Sequence, residues 1–117
     1  MCRMSVKYDL PFQIHTGQAH IDGSHPMNLV NVIKANPDTK FILFHGGFPW
    51  GSEVGAIAVC FENVWIDSCW LLILSYSMVK RAFREWLEIM PSDRIMWGAT
   101  SLMPKASTVG RRLPVSA

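Results

Sequence analysis

Four short apolar segments recur along the chain, and each ends at a polar residue or a glycine. The segments are residues 10–15, 41–45, 64–67 and 94–99. An apolar run of this length, followed at once by polar residues or glycine, is typical of a buried β-strand and too short for a helix. The first two end in His15 and His45, which are separated by 30 residues, about the length of one strand-helix unit. The pattern therefore predicts four strands, two of which carry a histidine at the carboxyl end.

Between these segments, apolar residues recur at intervals of three and four, as on one side of a helix. The first predicted helix begins at Pro26 and is stopped by Asn36-Pro37-Asp38. The second starts with Ser52 as its N-cap and ends near Asn63, and the third, with the clearest periodicity, spans residues 79–90. Strands that alternate with helices predict an α/β fold whose parallel sheet is buried on both faces.

Polar side chains at the carboxyl ends of parallel strands lie at one edge of the sheet, where such folds place their sites. His15 and His45 end neighbouring strands, and Asp67 ends the third. Because imidazole is a preferred ligand of zinc and other divalent metals, we predict a metal site at the two histidines. A histidine after an apolar run can also be an ordinary loop or core residue, and that alternative stays open.

Four further residues are predicted to contact a small-molecule substrate at this edge: His20, Gly46, Trp50 and Asp67. His20 lies in the same polar loop as His25, where surface exposure is the competing interpretation. The Gly46-Gly47 pair could form an anion-binding nest, although no phosphate-loop lysine accompanies it. For Asp67 the competing role is that of a polar residue capping a strand end.

Composition narrows the class of protein. The chain has 117 residues, 50% hydrophobic and 17% charged, which indicates one domain with a buried core. Its net charge of +2 comes from scattered residues without a basic run, so no nucleic-acid partner is expected. The most apolar segment, residues 69–79, is too short to cross a membrane, and no signal-peptide core follows Met1. The cysteines lack metal-binding or redox spacing, so we expect reduced thiols and a cytoplasmic location.

Four motifs in order carry a resemblance to a known family. They are Pro11-Phe12-Gln13-Ile14-His15-Thr16-Gly17, then Phe41-Ile42-Leu43-Phe44-His45-Gly46-Gly47-Phe48-Pro49, then Asn63-Val64-Trp65-Ile66-Asp67, and finally Pro91-Ser92-Asp93-Arg94-Ile95-Met96-Trp97-Gly98-Ala99. Over roughly residues 7–99 the chain resembles the amidohydrolase-related family of metal-dependent hydrolases. The resemblance implies a partial (β/α)8 TIM barrel comprising strands five to eight.

The resemblance also implies a chemistry. His15 would correspond to the metal-binding histidine of strand five, and His45 to the histidine of strand six, which contacts metal or substrate in related enzymes. The implied cofactor is a divalent metal, zinc in our interpretation, which activates water to attack a carbonyl carbon of a small molecule. Related members decarboxylate or isomerise their substrates, so the reaction itself stays open.

The chain departs from the family pattern in two places. It lacks the His-x-His pair of the first strand, and Thr100 stands where the family has the strand-eight aspartate, so no catalytic residue is assigned. Residues 100–117 show no helix or strand pattern, which suits a truncation or a shifted reading frame after Ala99. We therefore expect a domain at 1–99, an irregular tail, and no activity of the chain alone.

One consequence follows from these departures, and two alternative functions stay open. A half barrel should self-associate or pair with a missing amino-terminal half. The alternatives to a hydrolase fragment are a noncatalytic remnant and a small α/β module that binds an anion at Gly46-Gly47.

Overall fold

The computed structural model describes residues 1–18 and 20–98. The strands are β1 (Phe12–His15), β2 (Phe41–Phe44), β3 (Val64–Asp67) and β4 (Ile95–Met96). The helices are α1 (Cys2–Lys7), α2 (Val30–Ala35), α3 (Gly51–Cys60), α4 (Leu71–Leu74) and α5 (Tyr76–Ile89), with single 3-10 turns at Pro26–Leu29, His45–Gly47 and Ser92–Arg94. Each strand coincides with one of the predicted apolar segments.

The strands form one parallel sheet in the order β1-β2-β3-β4. Phe12 is opposite Phe41, Phe41 is opposite Val64, and Ile66 is opposite Ile95. The predicted α/β fold with four parallel strands is thereby confirmed. Consecutive strands lie side by side, as they do in a (β/α) barrel. A doubly wound sheet would instead show a reversal of the strand order.

The two faces of the sheet differ in burial. On one face, Phe41, Leu43, Val64 and Ile66 are fully buried and pack with side chains of α3 and α5. Because side chains alternate along a strand, the intervening residues lie on the opposite face, which we call the inner face. It comprises Gln13, His15, Ile42, Phe44, Trp65, Asp67 and Met96. Gln13 and His15 are exposed there and Trp65 is half-buried, so the expectation of burial on both faces does not hold for the described residues.

Two helix starts differ from the sequence prediction. The predicted N-cap at Ser52 is wrong, because α3 begins at Gly51 and the Ser52 hydroxyl instead donates to Glu85 of α5 at 2.7 Å. Helix α5 begins at Tyr76, before the predicted start at residue 79, because the Ser75 hydroxyl accepts a hydrogen bond from the Met78 N–H and caps the additional turn. Its end before Pro91 is as predicted.

Two polar side chains tie the helical layer to the sheet. Arg94 directs Nη1 at the carbonyls of Ala58, Phe61 and Val64, at 2.7, 3.2 and 3.3 Å, and so satisfies acceptors at the end of α3 and the start of β3. Trp86 of α5 is fully buried and donates from Nε1 to the Gly51 carbonyl at 2.9 Å. These contacts keep β4 and α5 in place relative to α3.

Within residues 1–18 and 20–98, no helix has the length and apolar composition needed to span a bilayer. Thr100 and the tail at 100–117 lie outside the described residues, as does the final residue of the predicted domain, Ala99. The tail and the domain boundary stay predictions.

Candidate active site

His15 and His45 lie side by side at the carboxyl edge of the sheet. Their ring centroids are 4.6 Å apart, and the ring planes cross at 69°. His15 ends β1, and His45 follows the last residue of the neighbouring strand β2. The tertiary structure therefore brings together the two histidines that the sequence placed at neighbouring strand ends. Their binding of metal stays a prediction.

His45 owes its direction to an unusual backbone conformation. Its φ is +67°, in the left-handed region that few residues other than glycine adopt. Phe44 lies on the inner face, so an extended residue at position 45 would point towards the helices. Instead the His45 ring, only 4% exposed, packs against His15 and Trp70. Strained residues of this kind cluster at functional sites.

The protonation of His45 follows from its hydrogen bond. Nδ1 lies 2.9 Å from the Cys69 carbonyl oxygen, which can only accept, so Nδ1 carries the proton and Nε2 keeps a lone pair. Burial lowers the pKa of His45, with a further lowering by His15, while the Cys69 hydrogen bond and Asp67 act in the opposite direction. The neutral ring, with its outer nitrogen fixed by a carbonyl, is the form in which histidine binds metals.

Trp70 covers the other side of this imidazole. The two rings are stacked, with centroids 4.5 Å apart and planes 15° from parallel. Trp70 is itself left-handed, with φ of +72°, and its Nε1 is buried with no hydrogen-bond partner in the part of the chain that the structure describes. Sequence analysis missed this residue, since Trp70 lies in an apolar segment that carries no sign of a site.

His15 is held from the loop that follows β1. Its Nε2 lies 2.6 Å from the Gln18 carbonyl and therefore donates to it, which leaves the lone pair on Nδ1. The Thr16 hydroxyl donates to the Phe44 carbonyl at 2.5 Å, and the Gln18 N–H donates to the Phe48 carbonyl at 2.8 Å. The β1 loop is thus fastened to the end of β2, which keeps His15 beside His45.

Asp67 is buried one strand further along the edge. Its Oδ1 accepts the Cys69 N–H at 2.6 Å, while the carbonyl oxygen of Cys69 accepts a hydrogen bond from His45. Burial raises the pKa of Asp67, against the opposing effects of the Cys69 N–H and of His45. A Cβ built on Gly98 would lie 2.9 Å from Oδ2, so the chain after β4 passes close to this carboxyl. Asp67 therefore holds the turn that positions His45, and its predicted contact with substrate stays a prediction.

The glycine pair after His45 has a packing role. Gly46 and Gly47 are buried with φ of +56° and +68°. A Cβ at Gly46 would lie 2.9 Å from the Trp86 ring, and one at Gly47 would lie 2.2 Å from Cγ2 of Val54. Tight packing and a left-handed backbone account for both glycines. Substrate contact at Gly46 stays a prediction.

A cavity of about 430 Å³ opens beside His15, under the loop between β1 and α2. Its lining includes Ile14, Leu29 and the exposed His20. His25 also lines it, half-buried, with Nδ1 accepting the Met27 N–H at 3.1 Å.

Trp50 packs against the His25 ring at 4.3 Å and is not among the residues lining this cavity. The predicted substrate residues thus lie in three places. His20 lines the cavity, Trp50 packs on His25 beside it, and Gly46 and Asp67 lie near His45. Residues 1–18 and 20–98 contain no group of three or more histidine, cysteine or acidic side chains arranged to hold one metal ion.

Two solved structures resemble this fold. A proposed metal-dependent hydrolase from Lactobacillus casei ATCC 334 matches with a TM-score of 0.72 and 27% identity, over 84% of this chain and 28% of that protein. An uncharacterised TIM-barrel protein from Bordetella bronchiseptica matches with a TM-score of 0.75 over 97% of this chain and 42% of that chain. At 20% identity, the second likeness concerns the fold, and it confirms the expectation of a partial barrel.

One curated protein and one family model match the sequence of this chain. Protein fluG of Emericella nidulans is 34% identical over 92 residues, which cover 74% of this chain and 11% of fluG. The chain therefore spans a small part of that relative and less than half of either structural neighbour. The sequence model of the Amidohydrolase family matches residues 3–99. This chain belongs to the amidohydrolase family.

Proposed function

We propose that this chain is part of a metal-dependent hydrolase whose divalent metal, zinc in our assignment, is held by His15 and His45. The observation that carries the proposal is the 4.6 Å approach of the two rings at the carboxyl edge of the sheet. Family membership and the Lactobacillus neighbour support the hydrolase class.

The donor atoms fit a metal as part of a ligand set. His45 keeps its lone pair on Nε2, and His15 keeps its own on Nδ1, because carbonyl oxygens occupy the other nitrogens. A stable zinc site takes three or four protein ligands, and no third candidate joins this pair among the described residues. Further ligands must then come from outside these residues.

When bound, a divalent metal polarises a carbonyl and lowers the pKa of water to about 7. The residues of this chain would prepare the site for that chemistry. Cys69 fixes the tautomer of His45 through its carbonyl, and Trp70 shields one side of the ring from water. The Asp67 carboxylate accepts the Cys69 N–H and so fixes the turn that carries this carbonyl.

We assign substrate contacts to His20, Gly46, Trp50 and Asp67, and the substrate to small molecules with a reactive carbonyl centre. The cavity beside His15 has room for such a molecule, and His20 lines it. We also place the protein in the cytoplasm, on the ground that its three cysteines are odd in number and have no metal-binding or redox spacing.

A noncatalytic remnant is the second candidate function. It is favoured by one observation, that the described residues offer two imidazoles and no complete ligand set. Two ligands should bind zinc weakly, with a dissociation constant of roughly micromolar or higher. We expect this weak binding from a hydrolase fragment, whereas a remnant should bind no metal at the pair.

Calorimetric titration of the purified chain with zinc tests the proposal. We expect heat of binding that is lost in His15→Ala and in His45→Ala. His20→Ala removes an exposed imidazole outside the pair and serves as the matched control. Binding that survives the double variant of His15 and His45 would remove both residues from the site, and no binding by the native chain would favour the remnant.

A further inference from the structure

The sheet ends in two strands that have one neighbour each. In the part of the chain that the structure describes, β1 pairs with β2 alone and β4 pairs with β3 alone. The Phe12 N–H donates to the Lys40 carbonyl beside β2, and N–H groups alternate in direction along a strand. The Gln13 N–H therefore points away from β2, at the open edge. Unpaired edges of this kind are templates for pairing with another strand.

The inner face also has apolar side chains that are only partly buried. Ile42, Phe44, Trp65 and Met96 make its middle apolar, and three of them are only half-buried. The inner face has no lysine or arginine, and its one carboxylate, Asp67, already accepts the Cys69 N–H. Two such faces can therefore meet without bringing unpaired like charges together.

We propose that two copies of this chain close an eight-stranded barrel, with β4 of each copy beside β1 of the other. Four strands and four strands make the number at which a parallel barrel closes. All strands of one copy run in the same direction, so a two-fold axis along the barrel keeps the new pairs parallel. A closed barrel removes both open edges at once, whereas a single copy cannot.

This assembly has a consequence for the histidines, and that part rests on the proposed function. Around eight positions, β1 of one copy lies opposite β1 of the other, and β2 lies opposite β2. Side chains fill the interior of an eight-stranded barrel, so residues that lie across the same rim from each other approach one another. His15 and His45 of both copies then face one mouth, and together they provide the number of ligands that a stable zinc site requires.

Light scattering coupled to size exclusion, with chelator present, tests the assembly without reference to metal. We expect twice the chain mass of 13.2 kDa. Gln13→Pro removes the edge N–H and spares the bonds to β2, so it should weaken dimerisation by about tenfold to a hundredfold. Gln13→Thr keeps the N–H and is the matched control.

A second pair of variants is used if circular dichroism shows that Gln13→Pro is unfolded. Trp65→Lys places a charge at the centre of the inner face and should give a folded monomer, while Trp65→Phe should remain a dimer. A monomeric native chain would overturn the proposal, as would open-ended aggregates, because they show edge pairing without closure. Equal dimerisation of Trp65→Lys and Trp65→Phe would overturn it too.

Zinc stoichiometry separates this inference from the proposed function. One zinc for two chains, lost in His45→Ala while the dimer persists, is the expected result. One zinc for each chain would overturn the shared site. A dimer that binds no zinc would refute the proposed metal function together with the shared site, and would leave the barrel closure supported.

Discussion

Trp70 lies flat against His45, with ring centroids 4.5 Å apart and planes 15° from parallel. The stacking buries one side of the imidazole while its Nδ1–H remains bonded to the Cys69 carbonyl. Burial is the largest cause of the lowered pKa of His45. Trp70 thus helps keep His45 neutral, although it has no charge of its own.

Replacement of Trp70 should therefore raise the pKa of His45 towards its ordinary value of 6.5. Trp70→Ala opens the ring to water, and Trp70→Phe keeps an aromatic cover. The pKa is read from the imidazole resonances by NMR with chelator present. Trp97→Ala, at a side chain that is 44% exposed, is the control and should leave it unchanged. An unchanged His45 pKa in Trp70→Ala would show that other groups cause the shift.

Stability should depend on the protonation of His45. Its folded pKa is lowered, so below about pH 6.5 the unfolded chain binds the proton more readily than the folded chain. The stabilising contribution is therefore complete above that pH and declines as the pH falls through 6.5 towards the folded pKa. Chemical denaturation between pH 8 and pH 5 measures it.

Asp67 acts with the opposite sign, because its folded pKa is raised above the ordinary 3.8 and protonation favours the folded state there. Measurement in an Asp67→Asn background removes this contribution, because asparagine does not titrate. The asparagine amide oxygen can still accept the Cys69 N–H, so the turn is retained. In that background His45→Asn should flatten the pH dependence. A slope that persists in His45→Asn would point to another group.

Gly47→Ala should destabilise the fold by roughly 2–4 kcal/mol. The new Cβ would lie 2.2 Å from Val54 Cγ2, and the backbone φ is +68°. Gly23→Ala is the matched control, because Gly23 is also left-handed but its nearest neighbour, His20 Nε2, would be 3.9 Å away. The control should lose only about 1–2 kcal/mol in urea denaturation. Equal losses would mean that conformation alone, without the Val54 contact, requires glycine at 47.

Arg94→Met should lower the free energy of unfolding by about 1.5–3 kcal/mol, because three carbonyls at the end of α3 and the start of β3 lose their shared donor. Arg81→Met is the matched control. Arg81 is exposed on α5 and lies 3.8 Å from Glu85, so its loss should change stability by about 0.5 kcal/mol or less. Similar effects of the two substitutions in urea melts would contradict a structural role for Arg94.

The native chain should show little metal-dependent hydrolysis of activated esters, lactones or amides. The sequence resemblance implies that Thr100 replaces the family's aspartate, and a missing general base typically slows catalysis by about a hundredfold to ten-thousandfold. Thr100→Asp alone should not restore turnover, since further metal ligands would still be required. Chelator-sensitive turnover that is lost in His45→Ala would show that the present residues suffice.

The sequence by itself determined the strands, their parallel arrangement and the two histidines at their ends. These features follow from local patterns, because a short apolar run ending in a polar residue identifies a buried strand and its carboxyl end. Strands that are neighbours in the sequence are neighbours in the sheet, so the sequence alone predicts that His15 and His45 lie side by side. The family motifs likewise occupy continuous stretches of the chain.

Only the tertiary structure decided how His45 is held and which face of the sheet stays open. The stack of His45 on Trp70 and its hydrogen bond to the Cys69 carbonyl join segments more than 20 residues apart in the chain, and the left-handed backbone at His45 directs the ring to them. The glycines at 46 and 47 are likewise explained by Trp86 and Val54, which lie on helices later in the chain. Periodicity identifies residues that are apolar, but the packing of one segment on another decides which of them shape the site.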